Sequence, residues 1–145
     1  MPNVEYRGMQ LIVPENDGEF LGYYAAARQH KLVLKHCTAC GLLRFPPGAG
    51  CPWCMSIDWT WQEVSGKGTI YSFGVYYQQW HPGFKDDMPY NVALIELTEG
   101  PQIISQVVGC ANEALACGLA VEVTFEDVTP EVTLPKFRLV NDKAT

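Results

Sequence analysis

The chain has 145 residues, a hydrophobic fraction of 48% and a formal net charge of −6. This length and composition support one domain or two very small ones with a hydrophobic core. The acidic balance argues against a dedicated nucleic-acid binder, because Lys and Arg contacts to phosphate supply most of that affinity, and only ten such residues are present.

The N-terminal sequence lacks the basic-then-apolar pattern of a secretory signal, and no run of about 18 apolar residues occurs. We therefore expect a cytoplasmic protein that makes no membrane contact. Six cysteines in such a chain favour a metal site or reactive thiols over a disulfide framework.

Helical periodicity is evident from Asn16 to His30, where Phe20, Tyr23 and Tyr24 recur on one face. This pattern predicts an amphipathic helix. Its aromatic stripe can pack on the chain's own core. Alternatively, it can face a partner protein, because a short helix ahead of a small metal-binding lobe has little core to cover. The sequence leaves both interpretations open.

Short β-type segments follow the helix, rich in β-branched and aromatic residues and separated by Gly and Pro turns. A short helical turn is predicted over 112–117, ending at Gly118. Closing such a sheet into a small barrel removes its unpaired edges, so we expect a barrel of five or six strands. Strands are predicted at 31–36, 42–45, 59–61, 69–77, 91–97, 103–108, 121–125 and 134–140.

Two C-x-x-C pairs, separated by ten residues, form the most specific motif: Cys37, Cys40, Cys51 and Cys54. Each tight turn presents two thiolates to one ion, so this spacing predicts a tetrahedral metal site. Zinc is the expected metal and iron in a rubredoxin-like site is the second choice, since both accept four thiolates. Four protein ligands leave no open coordination position, which makes the site structural.

The other two cysteines, Cys110 and Cys117, lie among small residues and are expected to be buried free thiols. No glycine-rich phosphate loop, G-x-S-x-G or H-E-x-x-H motif occurs. His81 lies in a loop with aromatic and acidic neighbours, but nothing in the sequence orients it as an acid or base. We therefore expect no catalytic residue in this chain and a binding or accessory role.

Taken in order, these features resemble the DUF35 family, whose members join a rubredoxin-like zinc ribbon to an OB-fold. The resemblance covers nearly the whole chain and includes all four cysteines of the two pairs. It implies a mainly β fold with an N-terminal helix and lead-in strand (1–36), a zinc ribbon (37–57), an OB-fold (58–140) and a tail (141–145). The other matching segments are 31–34, 45–47, 64–71, 89–94, 99–101, 107–110, 118–127 and 134–137.

Members of the family look like partners of thiolases, thiolase-like aldolases and MaoC-type hydratases that act on acyl-CoA. The resemblance implies that the OB-fold contacts the enzyme in a hetero-oligomer and helps to form its CoA site, while the partner's residues carry the reaction. A thiolase-fold subunit is the expected partner. One member type is the zinc-finger subunit of the benzoylsuccinyl-CoA thiolase of anaerobic toluene breakdown, which this chain resembles in size and layout.

The acyl-CoA site of such a complex would draw on the aromatic loop that contains Trp80, His81 and Phe84, which can line a pocket for an aromatic acyl group. Cations for the phosphates can come from Lys67 and Lys85, with Lys31, Lys35 and Arg44 as further candidates. Two other functions remain open. A zinc ribbon with an OB-fold also suits single-stranded nucleic acid, and a free-standing enzyme could use Cys110.

Overall fold

The computed structural model describes residues 3–12, 18–80 and 82–140. It begins with a hairpin of two strands, β1 (Asn3–Tyr6) and β2 (Met9–Ile12), which the sequence analysis did not predict. Within these three ranges, the one α-helix is too short to cross a membrane.

The helix α1 runs from Gly18 to Arg28, inside the predicted segment. It packs against both lobes of the protein, because it contacts a strand of the small sheet and a strand of the barrel. Tyr23 and Ala27 point into the core, where their exposed fractions are 6% and 0%. Tyr23 therefore packs on the chain's own core. The half-buried rings of Phe20 and Tyr24 are the part of the aromatic stripe that a partner protein could contact.

The small sheet has the order β4-β3-β5, with β3 (Val33–Cys37) in the centre, β4 (Leu43–Arg44) on one side and β5 (Trp59–Glu63) on the other. Both neighbours are antiparallel to β3. The predicted strand at 59–61 therefore pairs inside the zinc-ribbon lobe. The boundary between ribbon and barrel near residue 58 stays a prediction.

The barrel contains β6 (Lys67–Tyr76), β7 (Tyr90–Leu97), β10 (Ala120–Asp127) and β11 (Thr133–Leu139) in the order β7-β6-β10-β11. The predicted strand at 103–108 is split into β8 (Gln102–Ser105) and β9 (Val107–Val108). β8 pairs with β7 at one edge, whereas β9 pairs in parallel with β11 at the other. This interrupted strand closes the sheet, which confirms the predicted barrel.

The barrel core continues into the ribbon lobe as one cluster, so the two lobes share a hydrophobic interior. A β-bulge between Ile70 and Ser72 bends β6, and this bend lets β6 pair with β7 along most of its length and with β10 at its start. The fully buried members of the cluster are Leu34, Ile70, Ala93, Ile95, Ile103, Val107, Val121 and Phe137.

The segment after β9 differs from its prediction in two ways. Instead of a helical turn over 112–117, a single 3-10 turn covers Asn112–Ala114, although Gly118 has the left-handed φ of 92° expected of a turn terminator. Cys117 is exposed and Cys110 is half-buried, so the expectation of two buried thiols is wrong. The segment is too short to form a helix that covers these side chains.

Candidate metal centre and adjoining cleft

The four Sγ atoms of the two cysteine pairs all lie within 4.8 Å of one another. The Sγ–Sγ distance is 3.6 Å both between Cys37 and Cys54 and between Cys40 and Cys51. A tetrahedron of sulfurs at about 2.3 Å from zinc has edges of about 3.8 Å. The four thiolates therefore fit one tetrahedral zinc ion, as the spacing predicted.

Both cysteine turns have the same local geometry. The amide of Gly41 donates to the carbonyl of Cys37 at 2.8 Å, and the amide of Met55 donates to the carbonyl of Cys51 at 2.9 Å. Gly41 and Met55 have φ values of 85° and 68°. Each turn thus ends in a left-handed residue, which directs the two sulfurs of that turn to the same side.

Backbone amides stabilise the thiolate form of the first cysteine of each pair before any metal binds. The amides of Cys54 and Trp53 donate to Sγ of Cys51 at 3.5 Å and 3.4 Å, and these bonds lower the pKa of the Cys51 thiol to about 6. The amide of Cys40 donates to Sγ of Cys37 at 3.5 Å and lowers the pKa of that thiol. Such anionic donors suit a divalent cation, and a zinc ion here would tie both turns together.

Two cations are buried in the same lobe. Lys35 and Arg44 face each other across β3 and β4, with exposed fractions of 0% and 5%. Nζ of Lys35 donates to Glu19 Oε1 at 3.0 Å and lies 4.0 Å from the ring centre of Trp59. Arg44 Nη2 donates to the carbonyl of Gly48 at 3.1 Å. These side chains are unavailable to CoA phosphates, so the expectation for Lys35 and Arg44 is wrong.

Burying two cations costs free energy unless anions compensate. Glu19 supplies one carboxylate for Lys35. Arg44 is compensated less completely, because Nη2 donates to the Gly48 carbonyl but Nε and Nη1 have no hydrogen-bond partner among the described residues.

A cleft of about 600 Å³ lies between α1 and the outer face of the barrel. It brings together residues that the sequence analysis assigned to two different roles: Phe20, Tyr23 and Tyr24 from the helix, and Phe84 from the aromatic loop. Its remaining apolar wall comes from Phe45, Tyr90, Val92, Ile104, Val108, Val128, Leu134 and Pro135.

The charged groups of the cleft are paired with one another. Arg7 Nη1 lies 2.9 Å from Asp87 Oδ2, and Lys136 Nζ lies 2.7 Å from Glu126 Oε1. Burial raises the pKa of the Tyr23 hydroxyl, which therefore stays neutral. The cleft is thus suited to an uncharged, partly aromatic group and not to a phosphate.

Among the described residues, the other predicted contacts do not line the cleft. Trp80 is 71% exposed, Lys85 is also exposed, and His81 lies outside the described residues. Lys85 directly follows Phe84, whereas Lys67 begins the ten-residue strand β6, whose far end at Tyr76 stacks on the cleft residue Tyr90. A strand of that length spans about 30 Å, so Lys67 and the aromatic loop do not form one site.

Sequence reasoning missed Arg7 and Asp87, whose ion pair fixes the tip of the first hairpin to the turn beside Phe84. The sequence carried one signal for this hairpin, because the glycine of Arg7-Gly8 suits a two-residue turn between strands. In the structure both residues of that turn have positive φ, 52° and 77°. Sequence reasoning also missed Asn91, whose buried side chain forms two hydrogen bonds with the backbone of Val107 in β9.

Comparisons with known proteins match both lobes. Residues 25–56 match the rubredoxin-like zinc ribbon domain of ChsH2, and residues 61–126 match its C-terminal OB-fold domain. A solved structure titled Ltp2-ChsH2(DUF35) aldolase superposes with a TM-score of 0.80 at 41% identity, over 88% of this chain and 98% of that one.

Two curated relatives extend the match. The chain is 44% identical over 116 residues to a probable enoyl-CoA hydratase alpha subunit of Thermomonospora curvata, which covers 80% of this chain and 36% of that protein. It therefore spans about a third of that relative's length. It is also 35% identical over 105 residues to a DUF35 domain-containing scaffold protein of Methanothermobacter thermautotrophicus, over 72% of this chain and 78% of the relative. With its zinc ribbon and OB-fold in the same order, this chain belongs to the DUF35 family.

Proposed function

We propose that this chain is a non-catalytic subunit that docks onto a thiolase-fold enzyme and helps to form its acyl-CoA site. The observation that carries the proposal is the 41% identity, at a TM-score of 0.80, to the DUF35 chain of an aldolase structure. A scaffold role is also consistent with the four-thiolate centre, which has no coordination position left for a substrate or water.

The thiols and histidines of the described residues support a partner-borne reaction. Burial raises the pKa of the Cys110 thiol, and no described base is hydrogen-bonded to it, so it stays protonated near neutral pH. His30 Nε2 lies 3.2 Å from Asp127 Oδ1 and its ring stacks on Phe125. Neither side chain has the nucleophile-and-base arrangement that covalent catalysis requires.

The cleft supports a role in binding the acyl group. Its walls are aromatic and its charges are paired, so it suits the apolar part of an acyl-CoA, including an aromatic one such as benzoylsuccinyl-CoA. Lys85, exposed beside Phe84, is the cation best placed for the phosphates. Thiolysis of benzoylsuccinyl-CoA in anaerobic toluene degradation is the most specific form of this proposal.

A second candidate function is the same subunit role with a different partner enzyme, one that hydrates acyl-CoA or cleaves it by another reaction. The 44% identity to a hydratase alpha subunit favours a MaoC-type hydratase, and the aldolase structure favours a thiolase-like aldolase. Each candidate keeps the same role for this chain, because the partner supplies the catalytic residues.

Affinity purification from the source organism tests the proposal. We expect the tagged chain to retain an acyl-CoA enzyme in fixed stoichiometry, identified by mass spectrometry, with one zinc per chain. The fold of the retained enzyme then decides between a thiolase, an aldolase and a hydratase. A chain that purifies alone, or with single-stranded nucleic acid, would contradict the proposal.

The substrate contacts are tested by kinetics of the complex. Phe84→Ala removes a ring that lines the cleft and should raise KM for an aromatic acyl-CoA about tenfold. Trp80→Ala removes an exposed ring of the same loop that does not line the cleft, so we expect a smaller rise in KM. Unchanged kinetics in both variants would exclude the aromatic loop as a substrate contact.

The phosphate contact is tested by a matched pair of lysine variants. Lys85→Ala should raise KM about tenfold, because it removes one charge-assisted hydrogen bond of about 1.5 kcal/mol. Lys67→Ala removes an equal charge at the start of β6, at the opposite end of that strand from Tyr76. If Lys67→Ala raises KM and Lys85→Ala does not, the phosphates bind at the opposite end of the barrel.

A further inference from the structure

The second cysteine turn of the zinc ribbon exposes apolar side chains and carries no charged one. Residues 37–57 contain one charged residue, Arg44, whose side chain is buried, and exposed Asp58 follows directly. Three large apolar side chains lie within five residues of this turn: Trp53, Met55 and Ile57 are 82%, 81% and 75% exposed. Exposed apolar side chains concentrated in this way often mark an interaction site. We call these three side chains the knuckle face.

The backbone holds the knuckle face rigidly. Trp53 lies between two metal ligands, and its amide donates to Sγ of Cys51 at 3.4 Å. The amide of Met55 donates to the carbonyl of Cys51, and the amide of Cys51 donates to the carbonyl of Ser56, both at 2.9 Å. The backbone that carries these side chains is therefore held in one conformation, which lowers part of the entropy cost of binding.

Met55 gives a second reason to assign a role to this face. In the first cysteine turn the left-handed position is occupied by Gly41, which adopts φ of 85° without strain. The second turn places Met55 in the same conformation at φ of 68°, although its side chain is 81% exposed and gains little from packing on this chain. Left-handed non-glycine residues are uncommon and often functional.

We propose that the knuckle face is a zinc-supported anchor for the enzyme subunit and inserts into an apolar recess on that partner. This inference rests on the proposed function, and it adds the zinc-ribbon lobe to an interface otherwise expected of the OB-fold. The three side chains are themselves uncharged and apolar, so an apolar recess is the partner surface that suits them. A zinc ion held by the four cysteines would then contribute to partner binding as well as to folding, because it would hold the turn that carries Trp53 and Met55.

A second copy of this chain is the less suitable occupant. Three side chains offer on the order of 500 Å², whereas a stable interface needs about 800 Å² from each partner. The net charge of −6 also opposes close approach of identical chains. The face therefore fits one part of a larger contact with a different protein.

Hydroxyl-radical footprinting provides a direct test, because Trp53 and Met55 are themselves readily oxidised side chains. Oxidation rates are compared between the isolated chain and the complex with the acyl-CoA enzyme identified by co-purification. We expect Trp53 and Met55 to be protected at least fivefold in the complex. If the complex forms and both residues oxidise at the free rate, the inference is wrong while the proposed function stands. Concentration-dependent protection in the isolated chain would assign the face to self-association and overturn the inference.

Affinity measurements with purified enzyme subunit supply the second test. Trp53→Ala should raise Kd about tenfold or more, because an anchoring Trp typically contributes more than 1.4 kcal/mol. Its zinc content should stay at one per chain, since the side chain makes no core contact. The control is Thr38→Ala, which truncates an exposed side chain of the first cysteine turn and should leave Kd unchanged. Equal Kd values for wild type and Trp53→Ala would contradict the anchor.

Discussion

Cys51→Ser should abolish zinc binding and unfold the ribbon lobe while leaving most of the barrel folded. Structural zinc contributes an apparent folding free energy of ~10–16 kcal/mol in zinc-finger peptides. The segment between the two cysteine turns has little core of its own to replace that contribution, whereas the barrel retains Ile70, Ile95 and Phe137. A strong chelator should have the same effect on the wild type.

Zinc content and hydrogen exchange measure this outcome together. We expect Cys51→Ser to lose its zinc and the slow exchange of amides in β3, while amides in β7 stay protected. Cys117→Ser is the matched control, because Cys117 is exposed and lies outside the four-sulfur cluster. Retention of one zinc per chain by Cys51→Ser would show that the metal is held differently.

Asn91→Ala should destabilise the barrel by about 2–5 kcal/mol. The Asn91 side chain is 3% exposed and acts as a strand partner for Val107: Nδ2 donates to its carbonyl and Oδ1 accepts from its amide, both at 2.9 Å. Alanine leaves both buried groups of Val107 unpaired, and each costs about 1–3 kcal/mol. β9 pairs with β11 and so closes the barrel. The substitution therefore removes hydrogen bonds at the point of barrel closure.

Urea unfolding measures the change, with Asn112→Ala as control. Asn112 accepts from Asn91 Nδ2 at 3.0 Å and donates to the carbonyl of Pro89 at 3.1 Å, but its side chain is only half-buried. Water can replace these bonds, so we expect a loss of about 1 kcal/mol. Equal effects of the two substitutions would show that Asn91 is not the residue that fixes β9.

The metal centre could be predicted because four ligands of one ion are encoded in local spacing. Each C-x-x-C turn places two sulfurs without help from distant residues, and the structure brings the two turns together at 3.6 Å. The helix and barrel strands were predictable for a similar reason, since their periodicity is local. Closure of the barrel followed from the need to pair sheet edges.

Features that depend on distant partners could not be predicted. Periodicity identifies a strand at 59–61 but does not say that it pairs with β3. From the sequence alone, Lys35 is expected to be exposed to solvent, as most lysines are. Its complete burial is explained by its contacts with Glu19 and Trp59, which only the structure shows. The cleft combines Phe84 with residues about 60 positions earlier, a contact that requires knowledge of how α1 packs on the barrel.

We propose that this chain completes a partner's acyl-CoA site without catalysing the reaction itself. Titration of the purified enzyme subunit with this chain, with acyl-CoA turnover as the readout, tests this role. We expect activity to rise and to saturate at a fixed subunit ratio, and we expect the chain alone to turn over no substrate. Turnover by the chain alone, or enzyme activity that does not respond to its addition, would exclude this role.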